Sequence, residues 1–499
     1  MERHLEQEHK FDVQEGFAFT DLRPPLARLG VHAEPAQRAT LRATYFDSPD
    51  LRLLRANVTL RRRVGGTDEG WHLKLPAGGP GERIELRVPL SADTVVPPEL
   101  ARLLTAYLRG ARLRPVLTLD TDRQATLISG KDGVALLEVA EDRVVAERLG
   151  DHAVRAWREV EVERLGDAGG IARKLERLLE DAGARPSASV SKAARALDVA
   201  PPKAAGSRGR RDLLAARLEA LVATLAQQDV RARQRAPDAI HDLRVALRRT
   251  RSALRTFSPL LDKPSLVALR VELGWLNEAL GAARDAEVLA ARARDDLAAL
   301  SSEAHLGLID TELLGTLEAE ASTARIRLEE VLDSPRYCET LEALARFATT
   351  PRYRSGRSPS PRLLRRCVAK EIERVGAQVR SALASDGPDA ETAFHEARKR
   401  AKRVRYGAET LAPLAPKAAA RLATAFTAVQ DVLGERHDAA VARARYRGEA
   451  LRAGQRAGHA FAYGVLAERE RAAMADAAER FHVAWAKAID RKRRRFLAS

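Results

Sequence analysis

The chain has 499 residues, of which 45% are apolar and only 4% aromatic, and it carries a formal net charge of +16. That length allows two or three domains, and the abundance of Ala, Leu and Arg favours helix over most of it. The positive charge points to a polyanionic partner (nucleic acid, anionic lipid or a phosphate polymer), while the presence of only Cys338 and Cys367 excludes a disulfide scaffold and a cysteine-rich zinc site.

The opening MERHLEQEHK is charged where a signal peptide needs an apolar core. No run of roughly 18–20 apolar residues follows. A cytoplasmic protein with no membrane partner is expected.

Residues 1–197 read as mixed β with some helix, in short alternating runs split by Gly and Pro clusters such as PAGGPGER. In a strand, residues i, i+2 and i+4 share a face. LEQEHKF therefore sets Glu6, Glu8 and Lys10 together, opposite Leu5, Gln7, His9 and Phe11. LRRRV sets Arg61 with Arg63, and WHLKLP sets Lys74 opposite Leu73 and Leu75. RIELRV groups Arg83, Glu85 and Arg87, and REVEVE groups Glu159, Glu161 and Glu163 against Val160 and Val162.

An open sheet with one solvated face would explain any one of these strands. Segregated acidic and basic rows, each backed by apolar residues, fit a closed antiparallel barrel with a charged lumen better. Buried charge on that scale must pair or hold ligands. Convergent carboxylates suit a hard cation such as Mg²⁺ or Mn²⁺, and Arg and Lys rows suit phosphate oxygens.

Glu6-x-Glu8-x-Lys10 resembles the ExExK signature of the CYTH superfamily, the triphosphate tunnel metalloenzymes. Further parts fit in order: TYFDSPDLRLLRANVTLRRR ending in R-x-R, the lysine of HLKLP, Arg123 in LTLDTDRQATL, the late acidic REVEVE, and SVSKAARAL with Lys192 and Arg195. The resemblance implies that Glu6, Glu8, Glu159 and Glu161 hold a divalent metal. It also implies that Lys10, Arg61, Arg63, Lys74, Arg123 and Lys192 grip a triphosphate. The family often has an acid in an LDxG-like turn before the late acidic strand; ALLEVAEDRV departs from this and offers Glu138 or Asp142. Asp142 is the one assigned to the metal. Glu163 reads as a ligand or as a solvated strand end.

DVAPPKAAGSRGRR, residues 198–211, reads as a linker. Helical periodicity then runs from 212 to 499, broken by TTPRYRSGRSPSP into repeats at about 212–348 and 362–499. His241, Arg244, Arg248 and Arg251 in the first repeat match His395, Arg398, Lys402 and Arg405 in the second, each 154 positions on. Gly281 and Asp285 match Gly434 and Asp438 at an offset of 153. The spacing i, i+3, i+7, i+10 puts each set on one helix face. A solvated face is the plain reading of one such run; its repetition, with a His at the same place, favours a cationic groove for an extended polyanion.

Neither His241 nor His395 has a Cys or second His at ligand spacing, which argues against zinc. His437, whose counterpart is Arg284, reads as a phosphate contact or surface charge, and Asp285 and Asp438 as residues that orient basic side chains. The repeated H-x-x-R helices resemble the CHAD domain, which often follows CYTH, and that resemblance implies polyphosphate binding by these eight residues. The terminal DRKRRRF reads as a basic tail.

The expected fold is thus α+β and multidomain: an N-terminal antiparallel β-barrel tunnel and a C-terminal all-α region of two repeated bundles. The expected function is divalent-metal-dependent hydrolysis of inorganic triphosphate or short polyphosphate, with a polyphosphate-binding helical region that either recruits polyphosphate or docks the protein on polyphosphate granules. A polyphosphate-binding protein without turnover competes with it. Adenylate cyclase ranks lower, because nothing marks an adenine pocket. Nucleic acid ranks lower as a partner, because no RNA-binding aromatic motif is evident.

Overall fold

The computed structural model describes residues 2–79, 81–90, 94–200, 212–299, 310–385, 387–453 and 457–498. The chain divides into two compact units, residues 1–203 and 204–499. The expected linker lies outside the described residues from position 201 onward.

Among the described residues, with two-residue strands at His32–Ala33 and Arg185–Pro186 added to it, the barrel of the first unit is built from eight strands: β1 (Glu2–Asp12), β2 (Gln37–Asp47), β3 (Thr59–Val64), β4 (Gly70–Pro76), β5 (Glu82–Val88), β6 (Arg114–Ser129), β7 (Ala135–Arg148) and β8 (Val154–Arg164). They pair antiparallel in the order β1-β5-β4-β3-β2-β6-β7-β8, and β8 returns to β1. Closure removes both sheet edges. The register then sets unlike charges side by side. Lys10 lies opposite Glu161, Arg123 opposite Asp142, Lys74 opposite Glu85, and Glu6 opposite Arg83. Opposite charges paired in this way support the ladder.

Much of the apolar packing lies outside the barrel wall. Phe11, Leu137, Val139, Val160 and Val162 pack with Ala172, Leu175 and Leu179 of α1 (Gly169–Asp181). Because strand period is two, covering Val160 and Val162 with a helix forces Glu159, Glu161 and Glu163 to the inside.

One end of the lumen is apolar. Ala43, Leu117, Leu119, Val144 and Ala146 share the inward parity and pack with Ala193, Ala196 and Leu197, which belong to α2 (Lys192–Ala196) and the residue that follows it. Ser191 caps this helix, its Oγ accepting from the Ala194 amide at 3.1 Å. Buried Asp47 accepts from the amides of Leu53 and Leu54 at 2.9 and 3.0 Å, which makes the DSPDLRLLR segment a rigid corner.

The second unit is helical: α3 (Leu213–Arg233), α4 (Ala239–Thr256), α5 (Lys263–Ala299), α6 (Asp310–Asp333), α7 (Pro335–Thr349), α8 (Pro361–Leu383), α9 (Gly387–Leu411), α10 (Pro416–Arg452) and α11 (Ala457–Ala488). The repeat is visible in the matched pairs α4/α9 and α5/α10, the latter both 37 residues long. Helix α4 packs against α9, so the two basic helices meet. Among the described residues no helix is long and apolar enough to cross a membrane.

Candidate active site

Alternation along the strands turns charged side chains from most of the barrel into a cavity of about 600 Å³. It is lined by Glu6, Glu8 and Lys10 of β1, Arg61 and Arg63 of β3, and Lys74 of β4. Arg83, Glu85 and Arg87 of β5, Arg123 of β6, Glu138 of β7, Glu161 and Glu163 of β8, and Lys192 of α2 also line it, with Arg38, Asp68 and Arg164 completing the charged lining.

Asp142, Glu159 and Glu161 are all buried, and each offers an oxygen within 4.8 Å of the others. The Lys192 ammonium stands among them, 2.9 Å from Asp142 Oδ2, 2.8 Å from Glu159 Oε1 and 2.5 Å from Glu161 Oε1. Arg123 forks onto Asp142, its Nε and Nη2 donating at 2.9 and 2.7 Å, and Nη2 also reaches Glu161 Oε2 at 2.7 Å. Lys10 contacts Glu161 and lies 3.0 Å from Glu8 Oε1.

Burial alone would raise every one of these carboxyl pKa values. For Asp142 it is outweighed by Lys192 and Arg123, and the net shift is downward. Glu161 is held well below the carboxylate range by Lys10, Lys192 and Arg123 against the same burial. Glu8, opposed by burial but faced by Lys10 and Lys74, is held at about 2. Glu163 goes the other way: burial, then the neighbouring charges of Glu6, Glu8 and Glu138, push it up to about 7 despite Lys74. A buried all-oxygen cluster of three carboxylates fits a hard divalent cation.

Of the five acids expected at the metal, the structure brings three together. Glu6 and Glu8 line the same cavity outside that cluster, Glu6 2.6 Å from Lys74 and Glu8 3.0 Å from Lys10. Of the two acids weighed for the additional place, Asp142 joins the cluster and Glu138 lines the cavity. Lys10, Arg61, Arg63, Lys74, Arg123 and Lys192 all line the same cavity.

Glu85 is fully buried. It lies 2.9 Å from His72 Nδ1, accepts from Arg87 Nε at 2.5 Å, and has Lys74 at 3.7 Å and Arg61 at 3.8 Å. Sequence reading grouped Glu85 with Arg83 and Arg87 but assigned them no role. It missed His72, which shares parity with Lys74, and Tyr45, whose hydroxyl accepts from Arg61 at 3.4 Å. It also missed Asp68, the partner of Arg63, which lies between β3 and β4 where no periodicity marks it.

In the helical unit, Arg244, Arg248, Arg398 and Lys402 gather where α4 meets α9. Arg244 donates to Asp285 at 2.8 Å and Arg398 lies 3.7 Å from Asp438; Arg248 donates to the Tyr406 hydroxyl at 3.2 Å. Burial first, then Arg248, Arg398 and Arg244, press the Lys402 amine down to about 6. The His395 ring lies 4.4 Å from that of His437 and is lowered to about 4, by burial and then by His437 and Lys399. His241 is lowered by burial, Arg284 and Arg248. Arg251 feels Glu278 and Arg270, and Arg405 lies 3.6 Å from Glu409 and 3.4 Å from Gln430.

The description "CYTH domain" matches residues 4–196 and "CHAD domain" matches residues 215–447. The chain belongs to the family in which a CYTH domain is followed by a CHAD domain, and its barrel is of the class of divalent-metal-dependent tunnels that are generally triphosphatase or cyclase-like. "Uncharacterized protein Rv2226" of Mycobacterium tuberculosis is 34% identical over 496 residues, 96% of this chain and 94% of that protein. Thiamine-triphosphatase of Homo sapiens is 41% identical over 76 residues, 15% of this chain and 31% of that protein. Among solved structures, PptA from Streptomyces chartreusis has a TM-score of 0.48 and 20% identity, covering 55% of this chain and 98% of its own.

Proposed function

We propose that the barrel hydrolyses inorganic triphosphate or short polyphosphate with Mg²⁺ or Mn²⁺, and that the helical unit binds polyphosphate. The observation that carries the first part is the convergence of ten cationic side chains around one cavity beside the three carboxylates. Arg61, Arg63, Lys74, Lys10, Arg123 and Lys192 bind and orient phosphate oxygens; the arginines add forked contacts, and the lysines act as compact charges. Fixed cations around the reacting phosphate oppose the charge that builds on the leaving group. Asp142, Glu159 and Glu161 would hold the divalent ion, whose chemistry is to neutralise phosphate oxygens and acidify water. Among the described lining residues Tyr45 is the single Phe, Tyr or Trp. A lumen with so little stacking surface suits a bare phosphate chain better than a nucleotide or a thiamine ester.

For the helical unit, the supporting observation is the repeated cluster around Arg244, Arg248, Arg398 and Lys402. The same reading puts the protein in the cytoplasm, on polyphosphate granules.

The test is phosphate release from tripolyphosphate with Mg²⁺, with Mn²⁺ and with chelator, comparing wild type with Glu161→Gln. Metal-dependent release by wild type, lowered about a hundredfold or more in the variant, is expected. Failure to release phosphate with either metal would overturn hydrolysis and leave a binding protein.

A further inference from the structure

Asp142, Glu159 and Glu161 face four cations, Lys10 (shared with Glu8), Arg123, Lys192 and, 3.7 Å from Glu159, Arg195, so the protein already supplies their counter-charge. Lys192 differs from the other three. Its Nζ lies within 2.9 Å of an oxygen from each of the three carboxylates, and its side chain is 9% exposed. A divalent ion such as Mg²⁺ draws carboxylate oxygens to about 2.0–2.1 Å, so an ion centred on these oxygens takes the ammonium's place.

The lysine is also mounted so that it can yield. Its backbone begins α2, which Ala193 and Ala196 lock into the apolar end of the barrel, while a flexible four-carbon stem carries the charge into the cavity. Once displaced, the ammonium needs another anion, because an unpaired buried charge is costly. A phosphate chain in the lumen supplies one.

We propose that Lys192 is a built-in counter-ion that holds divalent metal off the Asp142–Glu159–Glu161 cluster until a phosphate chain draws the ammonium away, so that metal and phosphate load together. The inference rests on the triphosphate reading of the lumen. Linkage requires the coupling to be reciprocal: phosphate tightens metal by the factor by which metal tightens phosphate.

The experiment is Mn²⁺ binding to the full chain, by paramagnetic resonance and calorimetry, with and without imidotriphosphate, whose P–N–P bridges resist hydrolysis. Wild type should bind Mn²⁺ weakly alone and about tenfold or more tightly with the analogue. Lys192→Met should bind Mn²⁺ alone about tenfold more tightly than wild type, with little further gain from the analogue. Adding Asp142→Asn should abolish that gain. If Lys192→Met does not fold, Lys192→Gln, which keeps a polar head without charge, makes the same comparison.

Equal Mn²⁺ affinity of wild type and the neutral variant overturns the counter-ion role, whatever the analogue does. Analogue binding that leaves Mn²⁺ affinity unchanged in wild type overturns the coupling but not the triphosphate reading. Failure of wild type to bind the analogue overturns that reading itself.

Discussion

Carboxylates of one chemical kind acquire different protonation behaviour inside this barrel according to which neighbour the strand register supplies. Glu8, beside Lys10, is held at about 2; Glu163, directly across from Glu8 and Glu138, is pushed up to about 7. For Glu163 the folded state binds its proton more tightly than the unfolded chain does. Its effect is therefore to lower stability as pH rises from its ordinary 4.5 through about 7. Glu163→Gln should accordingly raise Tm at pH 8 by roughly 2–4 °C, with no gain at pH 4.5, in thermal melts recorded with chelator present. A lower Tm at pH 8 would mean that the charged carboxylate is stabilised by its surroundings.

At the scale of elements, β1 and β8 turn their charged faces inward and give Phe11, Val160 and Val162 to α1. The helical unit places a comparable burden on α4 and α9, which pack together through basic faces. Lys402 shows the consequence. Its amine, held near 6 by burial and three arginines, is largely neutral at pH 8, and its contribution to stability is lost as pH falls from 10.5 toward 6. A bound polyanion would restore its charge. Polyphosphate binding should therefore take up a proton near pH 8 and tighten as pH falls toward 6, and Lys402→Met should flatten that dependence. Calorimetry in buffers of different ionisation enthalpy measures the uptake directly; binding without proton uptake would remove Lys402 from the site.

The whole molecule joins two compact units with different solutions to buried charge. In the barrel, acids and cations balance around a cavity; in the helical unit, cations gather with fewer acids. If catalysis belongs to the first and polyphosphate capture to the second, Glu161→Gln should abolish turnover while long-chain polyphosphate binding stays within about twofold of wild type, a change of less than 1 kcal/mol. That binding should weaken as salt rises, because exposed charge is screened. Binding lost in parallel with turnover, measured by polyphosphate gel shift, would overturn the division.

Strand periodicity and charge were local properties, so the sequence alone determined that β1, β3, β4, β5 and β8 each carry a charged face. The helical repeat was equally legible, because matched helices keep the same spacing of His and Arg. Charged faces set against apolar ones also argued for closure, and the fold class expected is the one observed. Which charges would meet was not legible. Glu6 and Glu8 sit in the most recognisable motif, yet register gives them to Lys74 and Lys10, while Asp142, from a segment that departs from the family pattern, joins Glu159 and Glu161. Sequence spacing measures distance along one strand, whereas the carboxylate cluster is set by pairing between β7 and β8 and by a lysine delivered from α2. β7 and β8 meet by direct pairing, and only the folded barrel seats α2 beside them.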